Sequence, residues 1–140
     1  MEYPDYCLRG IRNKDFLVPG EKAAASNLFF LGNGKLRSSG WREGSINWQD
    51  DENAIDFTMN IQSENGGDFA FKAGVAVLAR ERLDYVVRLG QAMGRFAYER
   101  QQLPENPYHG NLLLKDDTSK HIAIQIAGVL ALGCEVIERP

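Results

Sequence analysis

Apolar and polar residues in the first half of this chain alternate in short bursts, not in long helical runs. Residues 6–11 alternate loosely and predict a first strand, closed by Gly10 and the polar stretch Arg12, Asn13, Lys14, Asp15. Leu28, Phe29, Phe30 and Leu31 followed by Gly32, Asn33 and Gly34 predict a hairpin, because Asn-Gly accepts the positive φ angles of a type I′ turn. Its returning arm, residues 35–38, is short and polar, and Ser39-Gly40 breaks the segment. In residues 45–48, Ile46 and Trp48 point the same way, as alternate positions of a strand do.

Helical spacing begins at the acidic run Asp50, Asp51, Glu52. An acidic first turn suits the positive end of a helix, and either aspartate can cap it. Ile55, Met59 and Gln62 share one face, and Asn65-Gly66-Gly67 is the expected stop. Residues 69–78 alternate as a strand running through Gly74, with a helix starting inside them as the alternative. Leu83, Val86, Val87 and either Leu89 or Gly90 predict a helix over 80–93, ended by Gly94, and Phe96 and Tyr98 mark a partly exposed strand over 95–101. Pro104 and Pro107 exclude regular structure between them, and a short strand is expected over 112–115.

The last helix stands apart. Thr118 or Ser119 caps it, Gly133 ends it, and Ile122, Ala123, Ile124, Ile126, Ala127, Val129, Leu130, Ala131 and Leu132 make it apolar nearly all round. A surface helix has one polar face, so this one is expected to be the central buried element or half of a dimer interface. Residues 135–138 form a brief final strand. The whole predicts one α+β domain over residues 1–140, with about three helices on a mainly antiparallel sheet of short strands and the C-terminal helix central.

Composition changes this picture little. The chain has 140 residues, of which 44% are hydrophobic and 25% charged, ordinary for a globular domain. A net charge of −3 speaks against a nucleic-acid partner, since phosphate binding usually shows as a basic excess. Charge is segregated, acidic from Glu43 to Phe71 and basic from Lys72 to Arg100, which suits two solvated helix faces or an acidic and a basic docking face. The opening residues Met1 to Asp5 have no apolar core, so no secretion signal is expected, and Cys7 and Cys134 read as reduced, buried thiols of a cytoplasmic protein. If the terminal strands pair, these two cysteines come close. No apolar run reaches the roughly 18–20 residues of a membrane helix.

Candidate chemistry concentrates in residues 104–111, a stiff loop presenting Glu105, Asn106, Tyr108, His109 and Asn111. His109 is suited to general-base work near neutral pH, with Glu105 orienting it or Asn111 donating to developing negative charge. The alternative is structural: Asn106-Pro107 builds the turn, Tyr108 packs, and His109 bonds a main-chain carbonyl. His109 and His121 match no compact metal-ligand spacing, Gly32-x-Gly34 precedes no helix that would cradle phosphate, and neither cysteine has a histidine beside it in sequence. Neither a metal nor a cofactor is expected.

Leu8-Arg9-Gly10, Gly44-Ser45-Ile46-Asn47-Trp48 and Pro104-Glu105-Asn106-Pro107-Tyr108-His109, with a late helix rich in small residues, resemble a group of small bacterial proteins of unknown function. The resemblance implies a bacterial or phage cytoplasmic origin and draws attention to Arg9 and His109. The leading functional expectation is a non-catalytic accessory protein that recognises a protein partner or itself. The alternative is a small enzyme or ligand-binding domain centred on His109, with Arg9, Glu105 and Asn111.

Overall fold

A computed structural model describes residues 3–64 and 66–139. Its strands are β1 (Tyr6–Ile11), β2 (Lys35–Leu36), β3 (Trp41–Trp48), β4 (Gly74–Ala79), β5 (Phe96–Arg100), β6 (His109–Lys115) and β7 (Cys134–Glu138); its helices are α1 (Ala54–Met59), α2 (Arg80–Val87) and α3 (Lys120–Leu132). The strands form one sheet in the order β5-β6-β3-β1-β4-β7, with β2 added to β3 and every pairing antiparallel. This is the α+β architecture that the sequence predicts.

One face of the sheet carries the main core. Cys7, Ile11, Ile46, Trp48, Ala76, Leu78, Leu112 and Leu114 project from the strands to meet Leu83 and Val86 of α2, the buried stripe of α3, and Leu28, Phe29 and Leu31. The α3 helix forms where the sequence places it: the Ser119 side chain accepts from the Ile122 N–H, and Gly133 ends the last turn. Ala123, Ile126, Ala127, Leu130 and Ala131 face inward, but Ile124 is 49% exposed and Leu132 84%, so the helix is buried along one side only. The opposite face of the sheet has a smaller cluster, where Leu8 and Val75 meet Ala54 of α1.

Several local expectations need correction. Residues 28–31 are not a strand: Ser26–Phe29 is a 3₁₀ turn, and Leu28, Phe29 and Leu31 all enter the core instead of alternating. Asn33 and Gly34 keep negative φ, so no type I′ turn forms, and β2 pairs with β3. Helix α1 covers Ala54–Met59 instead of starting at the acidic run and reaching Gln62; Gln62 bridges Phe69 in an irregular excursion, and Asn65 of the expected stop lies outside the described residues. Strand β4 starts at Gly74, whose φ of 130° only glycine adopts readily, so Phe69 and Phe71 precede it. Helix α2 ends at Val87, and a separate 3₁₀ turn, Gly90–Ala92, follows.

Cys7 and Cys134 do not pair. Both lie opposite Leu78, on its two sides, which separates them by two strand spacings, roughly 10 Å, too far for a disulfide. Burial raises both thiols, Cys7 to about 12 and Cys134 to about 11, so both are protonated and unreactive at neutral pH. Among the described residues no helix is long and apolar enough to cross a membrane.

Candidate functional site

The stiff segment singled out by sequence divides in two. Pro104 to Tyr108 make a turn in which Leu103 and Asn106 pair, whereas His109, Gly110 and Asn111 belong to β6, which starts three residues earlier than the expected 112–115 strand. The turn is fastened by its own polar groups. Asn106 donates from Nδ2 to Asn47 Oδ1 at 2.8 Å, and Asn47 donates to Thr58 Oγ1 at 2.8 Å, which in turn donates to the Ala54 carbonyl. Tyr108 donates its hydroxyl to Asp51, and its ring lies 5.2 Å from that of Phe57. This chain of bonds ties the turn to β3 and α1.

The four sequence-predicted residues do not converge. Glu105 is exposed, with no hydrogen bond to His109. His109 is half-buried; its Nδ1 lies 3.0 Å from the Gln101 carbonyl and its Nε2 3.4 Å from Ser45 Oγ. With the Nδ1 proton on that carbonyl, Nε2 is left as an acceptor for the Ser45 hydroxyl, at the far limit of hydrogen bonding. Asn111 is fully buried and donates from Nδ2 to Glu99 at 2.9 Å and to Gln101 at 2.7 Å, leaving Oδ1 without a partner among the described residues. Arg37 bridges Glu99 and Glu43, at 2.5 Å from each, and holds the Glu99 carboxyl below its usual range. Arg9 is elsewhere, on β1, and reaches His109 only through Ser45.

That connection exposes the site. Strands β1 and β3 pair only at Cys7 with Trp48 and at Leu8 with Asn47. That register would next bring Arg9 to Ile46 and Gly10 to Ser45, but neither pairing is made, and further along β3 has β2 as its neighbour at Glu43 and Arg42. Arg9 fills the opened seam, donating from Nη1 to the Ser45 carbonyl at 2.7 Å and from Nε to the Leu28 carbonyl at 3.0 Å. A side chain thus satisfies a carbonyl that the ladder abandons. Gly44 lets it pass: a Cβ there would stand 2.5 Å from Leu31 Cδ2 and 3.1 Å from Arg9 Nη1.

At this seam lies a cleft of about 530 Å³, lined by Arg9, Arg12, Phe16, Phe30, Glu43, Ser45 and Phe71, among others. Its charges are unbalanced. Glu43 is engaged by Arg37, whereas neither Arg9 nor Arg12 has a carboxylate within ion-pair reach among the described residues. Burial, and next the nearby Arg12, lowers Arg9 to about 10, which leaves it charged at neutral pH in surroundings that favour an anion. The sequence named Arg9 but missed Ser45, Arg12 and the phenylalanines; the Gly44-Ser45 pair opposite Leu8-Arg9-Gly10 was the available signal, and it becomes legible only once strand order is known.

Among the described residues no group of three histidine, cysteine or acidic side chains is placed to hold a metal ion. Comparisons with protein-family models, curated proteins and solved structures gave no match.

Proposed function

We propose that this chain is a non-catalytic recognition domain, an accessory protein of the bacterial cytoplasm, that captures the anionic group of a small ligand in the cleft between β1 and β3. The observation that carries this reading is the Arg9 guanidinium, set in the seam on two neutral carbonyls with no carboxylate partner among the described residues. A half-buried cation without a counter-charge carries a desolvation cost, and a bound oxyanion relieves it. The non-catalytic part draws support from His109, which is tied to a main-chain carbonyl and is not part of the cleft lining. The bacterial and cytoplasmic part rests on the three resembling stretches. Titration with acetate and with inorganic phosphate, followed by amide chemical shifts, tests the reading: shifts centred on Gly10, Gly44 and Ser45 are expected, and lost in Arg9→Gln. Shifts that survive Arg9→Gln unchanged would place the anion elsewhere and defeat it.

A second reading, self-association, is favoured by α3, whose outer side leaves Ile124 and Leu132 exposed beside a groove containing Leu89 and Val129. Light scattering across a concentration series tests it: a dimer that Leu132→Asp converts to monomer supports it, and a wild-type monomer at every concentration removes it.

A further inference from the structure

An oxyanion alone would occupy little of the cleft, and the remaining walls indicate what else the ligand carries. A volume of about 530 Å³ lies within the range of small-molecule sites, several times that of a carboxylate or phosphate group. Three half-buried phenylalanines, Phe16, Phe30 and Phe71, line it and leave ring surface uncovered. Arg12, exposed at the mouth, sits 5.7 Å above the Phe71 ring, which keeps a second positive charge against an aromatic wall.

Main-chain geometry supplies the other half. The Gln49 N–H donates to the Tyr6 carbonyl, and Leu8 faces Asn47, so even-numbered residues of β1 and odd-numbered residues of β3 turn their backbone groups toward each other. Gly10 and Ser45 are next in that series, and their rung is open. Arg9 occupies the Ser45 carbonyl, and by the same alternation the N–H groups of Gly10 and Ser45 lie on the seam side of their strands. Gly10 has no side chain to close the gap, and Phe71 packs where its Cβ would stand. Donors thus gather along the seam, with flat apolar surface beside them.

Resting on the anion-binding reading of the cleft, we propose that its ligand is an aromatic oxyanion, a planar ring bearing a carboxylate or a phosphate, with the oxyanion on Arg9 and the Gly10 and Ser45 N–H groups and the ring among Phe16, Phe30 and Phe71. Benzoate and phenyl phosphate are the probes, with acetate and inorganic phosphate as their ring-free counterparts, each titrated by calorimetry against the full chain. The ring is expected to tighten binding about tenfold over its counterpart, since an aromatic contact adds to the area buried. Phe71→Leu should cancel most of that gain, weakening benzoate and phenyl phosphate more than acetate and phosphate, and Arg9→Gln should weaken all four probes. Should Phe71→Leu unfold, as a thermal melt would reveal, Phe16→Leu takes its place. Equal affinity with and without the ring overturns the aromatic assignment but leaves an anion site; no binding of any probe overturns both. The benzoate and phenyl phosphate arms decide which oxyanion the seam prefers, and Arg12→Gln should weaken the doubly charged phosphate more than the carboxylate.

Discussion

The turn at Pro104–Tyr108 and the seam between β1 and β3 are both rich in groups able to do chemistry, and they differ in what their neighbours leave free. In the turn, Asn106 is bound to Asn47, Tyr108 to Asp51, and His109, just beyond, to the Gln101 carbonyl. Its polar side chains build structure. At the seam, a strand pair stops after two rungs, a guanidinium crosses the gap on neutral carbonyls, and among the described residues no carboxylate pairs with it. Chemical potential at a site therefore depends less on which residue types it contains than on which of them remain unspent after folding.

Substitutions can break or sharpen this contrast. The largest loss is expected for Asn47→Ala, which removes the middle of the buried chain and strands Asn106; about 2–3 kcal/mol should disappear from urea unfolding, with anion affinity unchanged. Gly44→Ala should cost about 1–3 kcal/mol through its clash with Leu31, and it should also weaken acetate and phosphate binding by moving Arg9. An Asn47 variant that loses anion binding, or a Gly44 variant that keeps it fully, would erase the division between a structural turn and a binding seam. His109→Ala comes next, at about 1 kcal/mol or less, because it gives up a partly exposed bond to the Gln101 carbonyl and a weak one to Ser45 and removes no residue of the cleft lining.

The smallest effect is on pH dependence. Hydrogen bonding to Arg37, and then to Asn111, lowers the Glu99 carboxyl in the folded chain. Its stabilising contribution is therefore present above the ordinary glutamate range and lost as pH falls through the lowered folded value. Unfolding titrations between about pH 6 and about pH 3 should show an acid-side loss that is shallower in Glu99→Gln. A loss of equal steepness in both proteins would mean that other carboxylates carry it.

Much of this architecture was legible in the sequence, for local physical reasons. Tyr6–Ile11, the Ser119 cap, the Gly133 stop and the proline-bounded turn each rest on propensities contained within a few residues. What escaped was decided at long range. Leu28 to Leu31 carry a hairpin signal, yet Leu28, Phe29 and Leu31 all go inward because α3 offers them a surface to meet. His109 and Asn111 look like loop residues beside Pro107, but β3 supplies register partners that extend the strand back to His109. The seam was the least legible feature, since it is defined by a rung that fails to form between residues thirty-five positions apart, Gly10 and Ser45.

The passage of Arg9 over Gly44 has a consequence for descent. A Cβ at position 44 would stand 3.1 Å from Arg9 Nη1, so the guanidinium would have to shift from its bond to the Ser45 carbonyl by a few tenths of an ångström. Lineages of this protein should therefore keep or discard the two residues together, so that a homologue bearing alanine at position 44 is expected to have given up the cation at position 9 as well.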